Sequence, residues 1–184
     1  MVKYAEADAK VTIITLMLRE DHQNIAQLFH QFNETPSVNE KRAIVTEAIA
    51  ALEVHATLEE ELIYPAWQEY IDTRDLMDEA LEEHHLLDVL IKEIKYMHPE
   101  NERYHAKFRI LSEHVKRHIK EEEAKIFPQA ERAQLDWDHL ARHVLRRRQM
   151  LEQKDPWILG VPVSFSASKV RCAARAALPG RSGG

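Results

Sequence analysis

Two stretches of the chain carry the same arrangement of metal donors. His55-Ala-Thr-Leu-Glu59-Glu60-Glu61-Leu-Ile63-Tyr64-Pro65 returns as His118-Ile-Lys-Glu-Glu122-Glu123-Ala-Lys-Ile126-Phe127-Pro128. In each copy a histidine precedes a glutamate by four residues, a spacing that puts both side chains on one face of an α-helix. Imidazole nitrogens and carboxylate oxygens together suit iron, manganese or zinc. Cys172 is the only cysteine, so thiolate metal sites, iron–sulfur clusters and an intrachain disulfide are excluded by counting. Two His–Glu units brought face to face could hold two metal ions.

Two further histidines extend the set. His22 follows Glu20-Asp21 and His84 follows Glu82-Glu83; His22 to His55 is 33 residues, and His84 to His118 is 34. A helical hairpin followed by a similar hairpin explains both intervals. Packing the hairpins by an approximate twofold brings His22, His55, Glu59, His84, His118 and Glu122 to one level of the interior. Glu59 and Glu122 would then partly neutralise and bridge two ions, leaving two histidines for each. Water, hydroxide, oxo or O2-derived ligands would complete the coordination. Iron is the preferred metal because an open N/O-rich pair can use O2 chemistry, with manganese or zinc as alternatives. Any one histidine in a helix is more often structural or solvent-facing, so the doubled pattern carries the metal reading. Helix phase selects His84 over His85, because His84 aligns with Met77, Leu81, Leu87 and Ile91 while His85 turns about 100° away. His114, one turn before His118, is a candidate outer partner or alternative ligand; its counterpart in the first copy is Ala51.

Helical periodicity supplies the elements that must position these groups. The first helix is expected over about Ala7–Asn33, with Ile14, Leu18, Ile25, Leu28, Phe29 and Phe32 as its apolar stripe. Thr35-Pro36-Ser37 breaks it, and Ser37 with Glu40 reads as a capping box for the next helix. That second helix, about Val38–Tyr64, presents Val45, Ala48, Leu52, His55, Glu59 and Leu62 along one face until Pro65 stops or kinks it. A third follows Asp72 or Thr73 and runs to Met97, and a fourth spans about Glu102–Ile126 before Phe127-Pro128. A shorter fifth segment covers about Trp137–Leu151, its Arg146-Arg147-Arg148 run expected to be solvated. The expected fold is all-α: an antiparallel four-helix bundle with an additional short C-terminal helix. Residues 1–150 form the metal-binding domain, and residues 151–184 an irregular or flexible tail, or a strap lying across the bundle.

Composition agrees with one ordinary domain. The chain has 184 residues, 11 histidines and a formal charge of −6. The acidic balance gives no basic surface for nucleic acid. Without an apolar leader or an 18-residue apolar stretch, a soluble cytosolic protein without membrane attachment is expected.

The doubled motif, with His22, His84, the Glu-Glu context and the Ile-aromatic-Pro that follows, resembles the hemerythrin-like HHE cation-binding family over about residues 12–150. The resemblance implies a four-helix bundle carrying a non-haem di-iron centre with an oxo or hydroxo bridge. O2, NO or peroxide are its implied small ligands, in storage, sensing or stress response. The chain departs from the marine O2 carriers: Ala80 stands one turn before His84 where they have a histidine, and His118-x3-Glu122 replaces their longer histidine-to-aspartate spacing. The expected function is binding of O2 or another small diatomic molecule. The alternatives are a peroxide-consuming or other redox-active enzyme, and an iron-binding or structural interaction module with no macromolecular partner identified. Tyr64, Trp67 and Tyr70 are read as ordinary packing near a helix end.

Overall fold

The computed structural model describes residues 11–71 and 74–154. The described elements are helices α1 (Ile13–Glu34), α2 (Val38–Leu58), α3 (Tyr64–Gln68), α4 (Arg74–Tyr96), α5 (Glu102–Glu121), α6 (Phe127–Ala130) and α7 (Trp137–Lys154). Two π-helical turns, Glu59–Ile63 and Glu122–Ile126, join α2 to α3 and α5 to α6. The architecture is the all-α bundle expected, with α1–α2 and α4–α5 as its antiparallel hairpins. Helix α7 packs on α1, α2 and the first π turn. The expected start of the first helix at Ala7 and the tail beyond Lys154 lie outside the described residues.

Local chemistry sets the helix ends. Thr12 and Thr15 exchange side-chain-to-backbone bonds as a capping box at the start of α1. Ser37 Oγ accepts the Glu40 N–H at 3.3 Å to cap α2. The expected reciprocal half is replaced: the Glu40 carboxylate accepts from the Thr35 hydroxyl instead. Asn101 caps α5 by accepting the Arg103 N–H at 2.9 Å.

Neither proline ends its helix. A proline ring would crowd the carbonyl four residues back in an unbroken α-helix. Here the turn before it widens, with the N–H of Tyr64 bonding Glu59 O and that of Phe127 bonding Glu122 O. The extra residue in each turn also rotates everything that follows. In a straight helix Leu62 and Lys125 would come next on the His–Glu faces. Instead Ile63, Tyr64, Ile126 and Phe127 turn inward, while Lys125 stays exposed. A lysine is thereby kept out of the core, where its charge would be costly.

The apolar interior falls into two clusters. One gathers Ile14, Leu18, Leu58, Tyr64, Trp67, Met77, Phe127 and Val144. The other gathers Ile25, Phe29, Phe32, Leu52, Ile91, Phe108, Leu111 and Val115. Along α1, α4 and α5 with the π turn that follows it, a buried histidine or glutamate stands between residues of the two clusters: His22, His84, and His118 with Glu122. A buried polar layer thus crosses the bundle.

Candidate metal centre

That layer contains all six residues singled out by spacing. His22, His55, Glu59, His84, His118 and Glu122 are each 5% exposed or less. Their donor atoms form two groups, His22–His55–Glu59–Glu122 and Glu59–His84–His118, with the atoms of each group within 4.8 Å of one another. Glu59 belongs to both groups and Glu122 to one, so the geometry is less symmetric than the expected pair of bridging glutamates. His85 is exposed. His114 stands apart from both groups, with its Nδ1 3.5 Å from Arg117 Nη2.

Each imidazole is held from behind by a carboxylate. His22 Nδ1 lies 2.8 Å from Glu123, His55 Nδ1 3.5 Å from Asp21, His84 Nδ1 2.9 Å from Glu60, and His118 Nδ1 3.1 Å from Glu83. Such a partner selects the tautomer with its proton on Nδ1 and leaves Nε2 as a free donor to a metal. The partners follow the repeat. The residue before His22 holds His55 and the residue before His84 holds His118; the residue after Glu59 holds His84 and the residue after Glu122 holds His22. The acidic neighbours visible beside each motif therefore have a structural use that their spacing alone did not disclose.

The inward atoms carry an unmet demand for positive charge. His22 Nε2 faces His55 Nε2 at 3.2 Å, and His84 Nε2 faces His118 Nε2 at 3.1 Å. With protons on both Nδ1 atoms, each pair would set two lone pairs against one another. Both oxygens of Glu59 and Oε2 of Glu122 are buried without a hydrogen-bond partner. Buried unpaired acceptors of this kind are costly, and a cation among them satisfies all of them together. The residues present therefore fit metal ions.

Burial raises Glu59 well above the ordinary carboxylate range, and the facing Glu122 adds to the shift. Burial also pushes Glu122 upward, but the His22 ring, 3.3 Å from Oε2, and the nearby His118 ring outweigh it, lowering Glu122 to about 2. His22 is the counterpart: burial lowers it, yet Glu122 and Glu123 carry it above the ordinary histidine value. Burial depresses His55 and takes His118 down to about 4, so both are neutral donors at pH 7.

Three features near the centre escaped the sequence reading. The Tyr64 hydroxyl donates to Glu122 Oε1 at 3.1 Å, and its ring stacks on His84 at 5.8 Å. Burial first, then Glu59 and Glu122, hold this phenol well above its ordinary pKa. At the matching position of the second copy Phe127 stacks on His22 at 5.7 Å and has no hydroxyl. Tyr70 is half exposed, whereas Trp67 is fully buried. The third feature is the arginine run. Arg148 holds Asp21, with Nη1 3.0 Å from Oδ1, and Arg147 grips Glu61 at 2.6 and 2.8 Å. Two of the three arginines expected to be solvated are thus ion-paired. Sequence did offer a signal for the π turns: after His118 and Glu122 the next position in phase is Lys125, and the apolar residues resume one place later.

Comparison with known proteins agrees with this fold. A solved structure of a hemerythrin HHE cation binding domain-containing protein from Mycobacterium kansasii superposes with a TM-score of 0.61 at 22% identity, covering 76% of this chain and 91% of that one. This likeness concerns the fold. A curated relative from Nostoc sp., described as a DNA nickase, is 27% identical over 114 residues, 60% of this chain. The match spans 31% of that relative's length. Among the described residues, no helix is long and apolar enough to cross a membrane. The model of the hemerythrin HHE cation binding domain matches residues 14–130, which include all six clustered donors, and the chain belongs to that family.

Proposed function

We propose that this chain is a non-haem di-iron protein that binds O2 or another small diatomic molecule, for sensing or storage. The observation that carries this reading is the pair of facing Nε2–Nε2 contacts beside the unpartnered oxygens of Glu59 and Glu122. His22, His55 and Glu122 would hold one ion and His84 and His118 the other, with Glu59 shared between them. Bound ferrous ions would supply the electrons for reversible small-molecule binding, bridged by oxo or hydroxo in the oxidised state. Manganese or zinc would fit the same donors.

The protein's own residues do the remaining work. Asp21, Glu60, Glu83 and Glu123 fix the ring orientations. Burial and the facing Glu122 raise the pKa of Glu59, so a metal held there would compete with a proton for its carboxylate. The aromatic rings of Tyr64 and Phe127 cover the histidines and limit water. Anaerobic loading should approach two irons per chain, and later exposure to O2 should give a spectrum that reverses on its removal. A maximum near one iron per chain would sink the dinuclear assignment.

One observation favours a second reading, a peroxide-consuming enzyme. Tyr64 is a buried phenol 3.1 Å from Glu122, held in its protonated form and placed to donate a proton inside the centre. Sustained peroxide turnover without metal loss, diminished in Tyr64→Phe, would select this reading. A chain that retains no metal after gentle purification and gains no stability from iron would point to an interaction module instead.

A further inference from the structure

A cavity of about 320 Å3 opens between α2, α4 and α5, beside His55, His84 and His118. It is much larger than a diatomic ligand needs. Its volume corresponds to about ten waters at liquid density, and it falls at the lower end of the range that takes small organic molecules. Ile25, Leu52, Leu87, Ile91 and Val115 line its apolar part.

The polar part has a definite charge pattern. Three carboxylates line the cavity: Glu53, Glu60 and Asp88. Lys95 reaches Glu53 at 2.7 Å and Lys92 reaches Asp88, so two are neutralised by lysine. Among the described residues Glu60 meets only His84 Nδ1, at 2.9 Å, and its side chain is 45% exposed. No lysine or arginine among the described residues pairs with Glu60, unlike Glu53 and Asp88. The lining therefore combines an apolar floor with one uncompensated anion.

We propose that this cavity binds a small organic molecule with an apolar chain and an ammonium-type head, the chain against Ile25, Leu52, Leu87, Ile91 and Val115 and the head at Glu60. This goes beyond small-molecule binding at the metals and does not require it. The site selects for positive charge because an anionic head would face Glu60 with no cation to receive it.

Calorimetric titration of the full-length chain, before and after iron loading, tests the assignment with three probes: hexylammonium, hexanol and hexanesulfonate. At pH 7 the ammonium nitrogen has no lone pair for a metal. Saturable binding of hexylammonium in both samples is expected, with hexanol weaker and hexanesulfonate undetected. In the chain before iron loading, Glu60→Gln should weaken hexylammonium about fivefold, the upper end for a half-exposed ion pair, while hexanol binding changes by less. Ala56 lines the cavity and is partly exposed, so Ala56→Phe should fill it and abolish binding, with helix content and metal stoichiometry as controls. The Glu60→Gln measurement decides the question by itself if Ala56→Phe does not fold. No saturable binding of hexylammonium overturns the proposal. So does equal binding of hexylammonium and hexanol, tight binding of hexanesulfonate, or unchanged binding in a folded Ala56→Phe chain.

Discussion

The His22/His55 and His84/His118 halves of the centre each set a pair of histidines beside the shared Glu59, and they differ in whether Glu122 joins them and in what lies behind them. In the first, Arg148 from α7 holds Asp21, and Arg19 holds Glu123 at 2.8 Å. In the second, Arg117 holds Glu83 at 3.0 Å, while Glu60 has no arginine among the described residues and borders the cavity. Phe127 covers His22, whereas Tyr64 covers His84 and donates a hydrogen bond to Glu122. The lesson is that a duplicated motif supplies the same types of donor to both halves without making their surroundings, or the share each takes of Glu122, equivalent. Side chains outside the repeat then separate a braced half from a more open one.

The strongest test removes what the halves share. Glu59→Gln should lower metal content in both, since Glu59 belongs to each donor group. Metal analysis should fall from about two toward one or fewer per chain. Glu122→Gln should act mainly on the His22 side, and equal losses from the two variants would restore a symmetric picture. The amide keeps the shape in each case and removes the negative charge.

The next test addresses the bracing. Arg148→Ala should weaken metal retention on the His22/His55 side by about tenfold, the low end for loss of an outer hydrogen-bonding partner. Arg148→Lys should recover part of it. Competition with a chelator would measure both, and no change in either would mean that α7 braces the fold alone. Arg117→Ala should cost less, because its side chain is 54% exposed against 17% for Arg148.

Acidity gives a further contrast. In the metal-free chain His118 protonates near pH 4, while the unfolded chain takes that proton near the ordinary 6.5. The unfolded state thus binds more protons between these values, so this group lowers stability as pH falls from about 6.5 to 4. Glu59 acts in the opposite direction, its raised pKa favouring the folded state as pH falls. Comparison with His118→Gln isolates the histidine: denaturant midpoints of the wild type should fall more steeply across that window. Parallel curves would show that His118 is not held neutral by burial. The smallest expected effect is from Tyr64→Phe, about 1 kcal/mol of stability for one hydrogen bond, measured by the same unfolding. A change in the electronic spectrum of the iron-loaded variant should accompany it.

Much of this design was legible in one dimension because helices convert spacing into direction. His55 with Glu59 and His118 with Glu122 share a face through local geometry alone, and the flanking apolar period selects His84 over His85. The apolar stripe of the first helix, Ile14 through Phe32, is buried for the same reason. The period failed at Leu62, where the π turn gives its inward place to Ile63 and Tyr64. That change of phase is favoured by tertiary burial of Tyr64, Trp67, Ile126 and Phe127, which no local propensity measures.

The order of residues was therefore sufficient for the bundle, for the composition of the donor set and for the acidic neighbours beside it. Only the folded molecule decided how those neighbours are used. Asp21 serves His55 on another helix, Glu123 serves His22 across the bundle, and Arg148 reaches Asp21 from 127 positions away. Such contacts depend on how whole helices rotate and pack, since side chains far apart in the chain meet only when the apolar faces have been buried. The repeat set the clustered histidines and glutamates through local periodicity; the packing of α7, Tyr64 and Phe127 around them made the two halves different.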